Sequence, residues 1–147
     1  MNTRSLHTVL SAQEKARLAD MLGRQDALLS AYLFGSMSHG RTRKGSDADI
    51  AVRFQRGMPG DRRFEVRGEL QSLLETYFNR TVDLVVMNDA SLVLLYQVFS
   101  TGILLFARDP LDEEAFRLQK LKEFFDFRFY LSEDDTETAR FFGVDHD

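Results

Sequence analysis

Gly35-Ser36-Met37-Ser38-His39-Gly40-Arg41-Thr42-Arg43-Lys44-Gly45-Ser46-Asp47-Ala48-Asp49 is the stretch on which the reading turns. Just before it, Ala31-Tyr32-Leu33-Phe34 is a short apolar run halted by Gly35, the pattern of a buried strand. At its end, Asp47 to Phe54 alternates polar and apolar with period two, which predicts a second strand. Residues i and i+2 of a strand share a face, so Asp47 and Asp49 project together. Two carboxylates in that position repel unless a cation lies between them. Hard oxygen ligands of this kind suit Mg²⁺, which takes one or two protein carboxylates plus substrate phosphate oxygens.

Asp83 extends the set. It lies in Thr81 to Met87 among Val82, Leu84, Val85 and Val86, a run that predicts another strand. An ionised carboxylate there is costly unless it is paired, with Arg53 as one candidate partner, or binds a metal. If this strand neighbours the one with Asp47 and Asp49, three carboxylates meet. Such a group holds two Mg²⁺ ions about 4 Å apart, as used for in-line displacement at phosphorus. Gly35 lets backbone approach a ligand closely. The N–H groups after it and the Ser36 hydroxyl then suit phosphate oxygens, above all if a short helix starts there. Arg41, Arg43 and Lys44 form a basic cluster that is either a solvated loop or positive charge beside a leaving pyrophosphate.

Working outward, Ser11-Ala12-Gln13-Glu14 is a capping box ahead of a helix ending near Leu22. Ser36 to Lys44 predicts a short helix or turn and then a loop, and Gln55 to Asp61 is a loop. Phe64, Val66, Leu70, Leu73, Leu74, Tyr77 and Phe78 recur at helical spacing. Asn88 or Asp89 is expected to cap a helix that Gly102 ends. Ile103 to Phe106 predicts a last strand, and Pro110 and Asp112 start a long helix to about Leu131. The expected fold class is α/β (α+β): a small mixed β-sheet with helices packed mainly on one side, plus a C-terminal helix. One domain is expected over 1–147, with a core of about 30–108, a C-terminal helix at 112–131 and an acidic tail at 132–147.

In that helix, Leu118, Leu121, Phe125 and Phe129 form one face and Phe124, Phe127 and Leu131 a neighbouring one. Either both pack on this domain's own sheet or the second meets another subunit or a partner.

The 147 residues carry a net charge of −4, 44% hydrophobic and 29% charged residues, and no cysteine. This is ordinary for a soluble globular chain, excludes thiolate sites and fits a reducing, cytoplasmic setting. An acidic balance argues against tight sequence-independent nucleic-acid binding. Met1 to Leu10 has no long apolar run and nothing approaches a membrane span. No histidine pair has zinc-ligand spacing, and no Ser-His-Asp set is supported.

Gly35-Ser36, ten intervening residues, Asp47-Ala48-Asp49 and a later Asp83 resemble the DNA-polymerase-beta-like nucleotidyltransferases. The resemblance covers about residues 30 to 108. The small size, Gly40 in the spacer and Ser46-Asp47-Ala48-Asp49-Ile50 look most like the minimal branch. That branch includes the MNT antitoxins of HEPN/MNT toxin–antitoxin pairs, although Met37, Ser38 and His39 depart from its alanine- and arginine-rich wording. The resemblance implies a nucleotidyltransferase fold and Mg²⁺-dependent transfer of AMP from ATP to a tyrosine of a HEPN ribonuclease toxin. It implies that Gly35 and Ser36 bind the phosphates, that Asp47 and Asp49 bind both metals, and that Asp83 completes the site and takes the acceptor's proton. Two alternatives are a drug- or metabolite-modifying nucleotidyltransferase and an antitoxin that acts by binding alone.

Overall fold

The computed structural model describes residues 10–35 and 47–134, with side chains to 132. Ser11 accepts from Glu14 N–H while Glu14 accepts from Ser11 N–H, so the expected capping box opens α1 (Ala12–Gly23). Next come β1 (Leu28–Phe34), β2 (Ala48–Phe54), α2 (Gly60–Phe78), β3 (Val82–Val86), α3 (Leu92–Thr101), β4 (Ile103–Ala107) and α4 (Pro110–Asp134). The four strands form one mixed sheet in the order β3-β2-β1-β4. β1 is antiparallel to both β2 and β4, and β2 is parallel to β3 through the α2 crossover.

The helices cover both faces, not mainly one. Ala31 and Leu33 of β1 and Ile50 and Val52 of β2 pack with Leu18 and Leu22 of α1 and Val66, Leu70 and Leu74 of α2. Tyr32, Phe34 and Ala51, of opposite parity, pack with Leu95 and Val98 of α3. A central strand whose two parities are both apolar needs cover on both sides. The alternation in Asp47 to Phe54 concealed this, because its polar positions include Arg53, which the second layer buries.

Arg53 fixes α4 to the sheet. Its guanidinium donates to Glu113 at 2.8 and 3.0 Å and to Asp112 at 2.9 Å. Tyr32 Oη donates to Glu113 at 2.7 Å. Burial, and then the hydrogen bond to the Glu113 carboxylate, push the Tyr32 phenol far above its ordinary range. Arg53 also lies over the Phe116 ring at 4.5 Å, a cation–π contact. The buried line of α4 thus runs from Glu113 to Phe124, which stacks on Tyr96 of α3. Leu111, Leu118, Phe125 and Phe129 face outward. Contrary to expectation, it is the first face, Leu118, Phe125 and Phe129, that is left exposed, while Phe124 of the second is buried.

α2 closes the free edge of β3 with a side-chain ladder. Glu75 accepts from Val82 N–H at 3.0 Å, Gln71 donates to the Val82 carbonyl at 3.0 Å, and Arg67 donates to the Leu84 carbonyl at 2.9 Å. Spaced by four, these residues line up on one helix face, and they occupy backbone groups that would otherwise template pairing with another chain. Asn88 does not cap α3; its amide pairs with both the N–H and the carbonyl of Phe54, each at 2.9 Å, at the end of β2. Asp89 sits in a 3-10 turn, Met87–Asp89, and Ser91 caps α3 instead. Gly102 does end α3, in an extended rather than left-handed conformation. Among the described residues, no helix is long and apolar enough to cross a membrane.

Glu113→Ala should lower stability in urea unfolding by about 3 kcal/mol, because it leaves a buried guanidinium with only an exposed partner, Asp112. A loss below about 0.5 kcal/mol would show that the lock contributes little.

Candidate functional site

β2 carries the centre of the site. Asp49 is the register partner of Phe34 on one side and of Asp83 on the other. Asp49 shares parity with Ala51 and Arg53, and Asp83 with Val85, so both carboxylates lie on the α3/α4 face of the sheet. Helical cover reaches Ala51 and stops short of them: Asp49 is half-buried, Asp83 exposed. Asp47 immediately precedes β2, exposed, and by strand alternation is directed the same way.

Asp49 feels both of the other carboxylates. Partial burial first, and then the charges of Asp83 and Asp47, raise the Asp49 carboxyl above its ordinary range. Arg53 is committed to Asp112 and Glu113, so it does not neutralise Asp83, which makes no ion pair among the described residues. Among those residues, no three His, Asp or Glu side chains are gathered as a finished metal cage. Asp49 and Asp83 are neighbours on adjacent strands without an answering cation among the described residues.

Gly35 follows β1 directly, with φ +73°, and a Cβ built there would overlap the Oδ2 of Asp49. Both constraints require glycine: the left-handed backbone and the contact with the carboxylate. Phe34, Gly35 and Asp49 line a cleft of about 320 Å³ whose far wall is Gln97 and Thr101 of α3. These two residues were not singled out from sequence. Their signal was present, as polar positions four apart within Leu92-Val93-Leu94-Leu95-Tyr96-Gln97-Val98-Phe99-Ser100-Thr101. On the other side of the carboxylates, a groove of about 590 Å³ along the β3 edge includes Asp83, Arg63, Arg67 and the 80% exposed Phe64. A cleft of about 790 Å³ between α1 and α2, with Met21, Leu73 and Tyr77, lies on the opposite layer from the carboxylates. Ser36, Arg41, Arg43 and Lys44 lie outside the described residues.

The family profile "Polymerase beta, Nucleotidyltransferase" matches residues 16–111, which hold all of these strands. The chain belongs to this nucleotidyltransferase family. It is 37% identical over 90 residues to the protein adenylyltransferase MntA of Shewanella oneidensis, a match covering 61% of each chain. It also resembles a chain of a solved toxin–antitoxin structure with AMP-PNP, at 28% identity and a TM-score of 0.63, covering 84% of this chain and 94% of that one. A third relative is a chain of the S. oneidensis tri-AMPylated HEPN toxin in complex with MNT antitoxin. The match has 26% identity and a TM-score of 0.58, covering 81% of this chain and 93% of that one. The mixed sheet flanked by helices is thus the nucleotidyltransferase fold, with a C-terminal helix added.

Two substitutions test the site's geometry. Gly35→Ala should cost about 1–3 kcal/mol of stability and displace Asp49; unchanged stability and nucleotide affinity would refute the close contact. Asp49→Asn removes a charge whose ionisation burial and like charges disfavour. A carboxyl with a raised folded-state value loses folding free energy as pH climbs through its titration, so above that range the neutral amide is the more stable form. In chelator at pH 7.5, Asp49→Asn should therefore melt no lower than the parent, and a clearly lower midpoint would show that Asp49 is a structural carboxylate.

Proposed function

We propose that this chain transfers AMP from ATP to a hydroxyl of a protein partner, a tyrosine of a HEPN-type toxin, and so acts as an antitoxin. The single observation that carries the reading is the register pairing of Asp49 with Asp83 beside a left-handed glycine in close contact with the Asp49 carboxylate. The family membership supports nucleotidyl transfer, and the AMP-related relatives support adenylyl as the group moved. The exposed stripe Leu111, Leu118, Phe125 and Phe129 on α4 supports a protein partner over a small-molecule acceptor.

The carboxylate-only oxygen donor set fits hard divalent cations. Asp47, Asp49 and Asp83 would hold two Mg²⁺ ions, which when bound supply charge neutralisation at the phosphates. The remaining work belongs to the chain. Gly35 and Ser36 seat the polyphosphate, and Arg41, Arg43 and Lys44 offset charge on the leaving pyrophosphate. Asp83 stands on the outer strand, exposed and without an ion-pair partner among the described residues, so it accepts the proton of the attacking hydroxyl. The acceptor oxygen bonds to the α-phosphorus, the bond between that phosphorus and the α–β bridging oxygen breaks, and pyrophosphate leaves with the electron pair. Rate enhancement in such a site is positional and electrostatic. The absence of cysteine and of a membrane-crossing helix among the described residues supports action in the cytoplasm.

Intact mass measurement of a co-encoded HEPN partner after incubation with this protein, ATP and Mg²⁺ tests the proposal. One or more adenylyl increments are expected, and Asp49→Asn or Asp83→Ala should slow their appearance roughly 10²- to 10³-fold. A partner neutralised with no change in mass would replace transfer with inhibition by binding; undiminished transfer by either variant would remove that residue from the site.

A further inference from the structure

The cleft beside Asp49 has a wall that the phosphate and metal chemistry does not use. Gln97 and Thr101, one turn apart on α3, face Phe34, Gly35 and Asp49 across it. Their placement is built into the fold. A Cβ at Gly102 would run into the carbonyls of Val98 and Leu33, so glycine allows the end of α3 to lie directly on β1 beside Phe34 and Gly35. The Gly102 N–H donates to the Val98 carbonyl at 2.8 Å and holds that end in place.

The chemistry of this wall is polar and uncharged. Thr101 Oγ1 donates its hydrogen to the Gln97 carbonyl at 2.6 Å. Its lone pairs are left as acceptors, and this fixes its polarity toward a ligand donor. The Gln97 side-chain amide is exposed and has no hydrogen-bond partner among the described residues, so both its acceptor and its donors are available. Both residues sit in the last turns of a helix, whose carbonyl end carries partial negative charge. That end repels a polyphosphate and accommodates a neutral group rich in hydroxyls and ring nitrogens. Phe34 adds an apolar surface.

The geometry points to Gln97 and Thr101 as the nucleoside-recognition wall of the site, taking the ribose hydroxyls and base edge of the nucleotide while Gly35 takes its phosphates. This rests on the nucleotidyl-transfer reading and extends it. The strand order β3-β2-β1 places Asp83 on the far side of Asp49 from Gly35. The nucleotide therefore extends toward α3 and the acceptor enters past β3.

Calorimetric titration of the full chain with two probes, ATP and inorganic tripolyphosphate, each with Mg²⁺, separates the two halves of the ligand. Gln97→Ala and Thr101→Val should each weaken ATP binding roughly two- to tenfold, the worth of one hydrogen bond, and leave tripolyphosphate affinity unchanged. Gln97 is on the surface, so its variant is expected to fold, and circular dichroism checks both. Unaltered ATP affinity in both variants overturns the assignment, as does an equal loss for the two probes. A folded parent chain that binds neither probe defeats the nucleotidyl-transfer reading itself, an outcome distinct from either of these.

Discussion

Like charge held in register is the constraint around which the molecule is built. Neighbouring strands lie about 4.8 Å apart, and two carboxylates at such a separation repel by about 1 kcal/mol in water and about 3 kcal/mol at an effective dielectric of ~20. Asp49 and Asp83 occupy that position, and nothing in the described chain answers them. The contrast with Arg53, on the same face of the same strand, is instructive. Arg53 meets Glu113, Asp112 and the Phe116 ring. One end of this face has its charge met from within the protein, and the other has no such partner among the described residues. Folding alone would select against the second arrangement, so its persistence points to chemistry.

The surrounding structure resists the strain from three directions. β2 is paired on both sides, antiparallel to β1 and parallel to β3. The α2 ladder of Glu75, Gln71 and Arg67 pins the outer edge of β3, so Asp83 cannot swing away with its strand. Asn88 ties both backbone groups of Phe54 at the far end of β2. With the backbone held by these contacts, partial burial first and then the repulsion raise the Asp49 carboxyl. α4 contributes through Glu113 while leaving an apolar stripe outward, so one helix both completes the second layer and offers a surface.

Much of this was legible in the sequence because period and spacing are local properties. Alternation in Asp47 to Phe54 gave β2, the apolar run around Asp83 gave β3, and Pro110 marked the start of α4. The failures have non-local causes. Cover on both faces of the sheet depends on which helix folds over which parity, and no window of sequence contains that. Asn88 has the composition of a helix cap, yet its partner, Phe54, is 34 residues away. The face of α4 bearing Leu118, Phe125 and Phe129 is as apolar as the buried one, and only the anchoring of Glu113 by Tyr32 and Arg53 decides the rotation. Gln97 and Thr101 form a turn-spaced polar pair that matters only because Gly102 docks α3 onto β1.

The strand order also gives the proposed reaction its direction. In-line displacement needs the entering oxygen and the departing pyrophosphate on opposite sides of one phosphorus. In the sheet, Asp83, Asp49 and Gly35 fall in sequence across β3, β2 and the end of β1, so a line through them passes from the proposed proton acceptor, through the proposed metal-binding carboxylate, to the proposed phosphate seat. The parallel crossover through α2 puts β3, rather than β1, at the outside of the sheet, with Asp83 exposed. That topology leaves the proposed proton acceptor where a large protein acceptor could reach it and would keep the nucleotide end against β1 and α3.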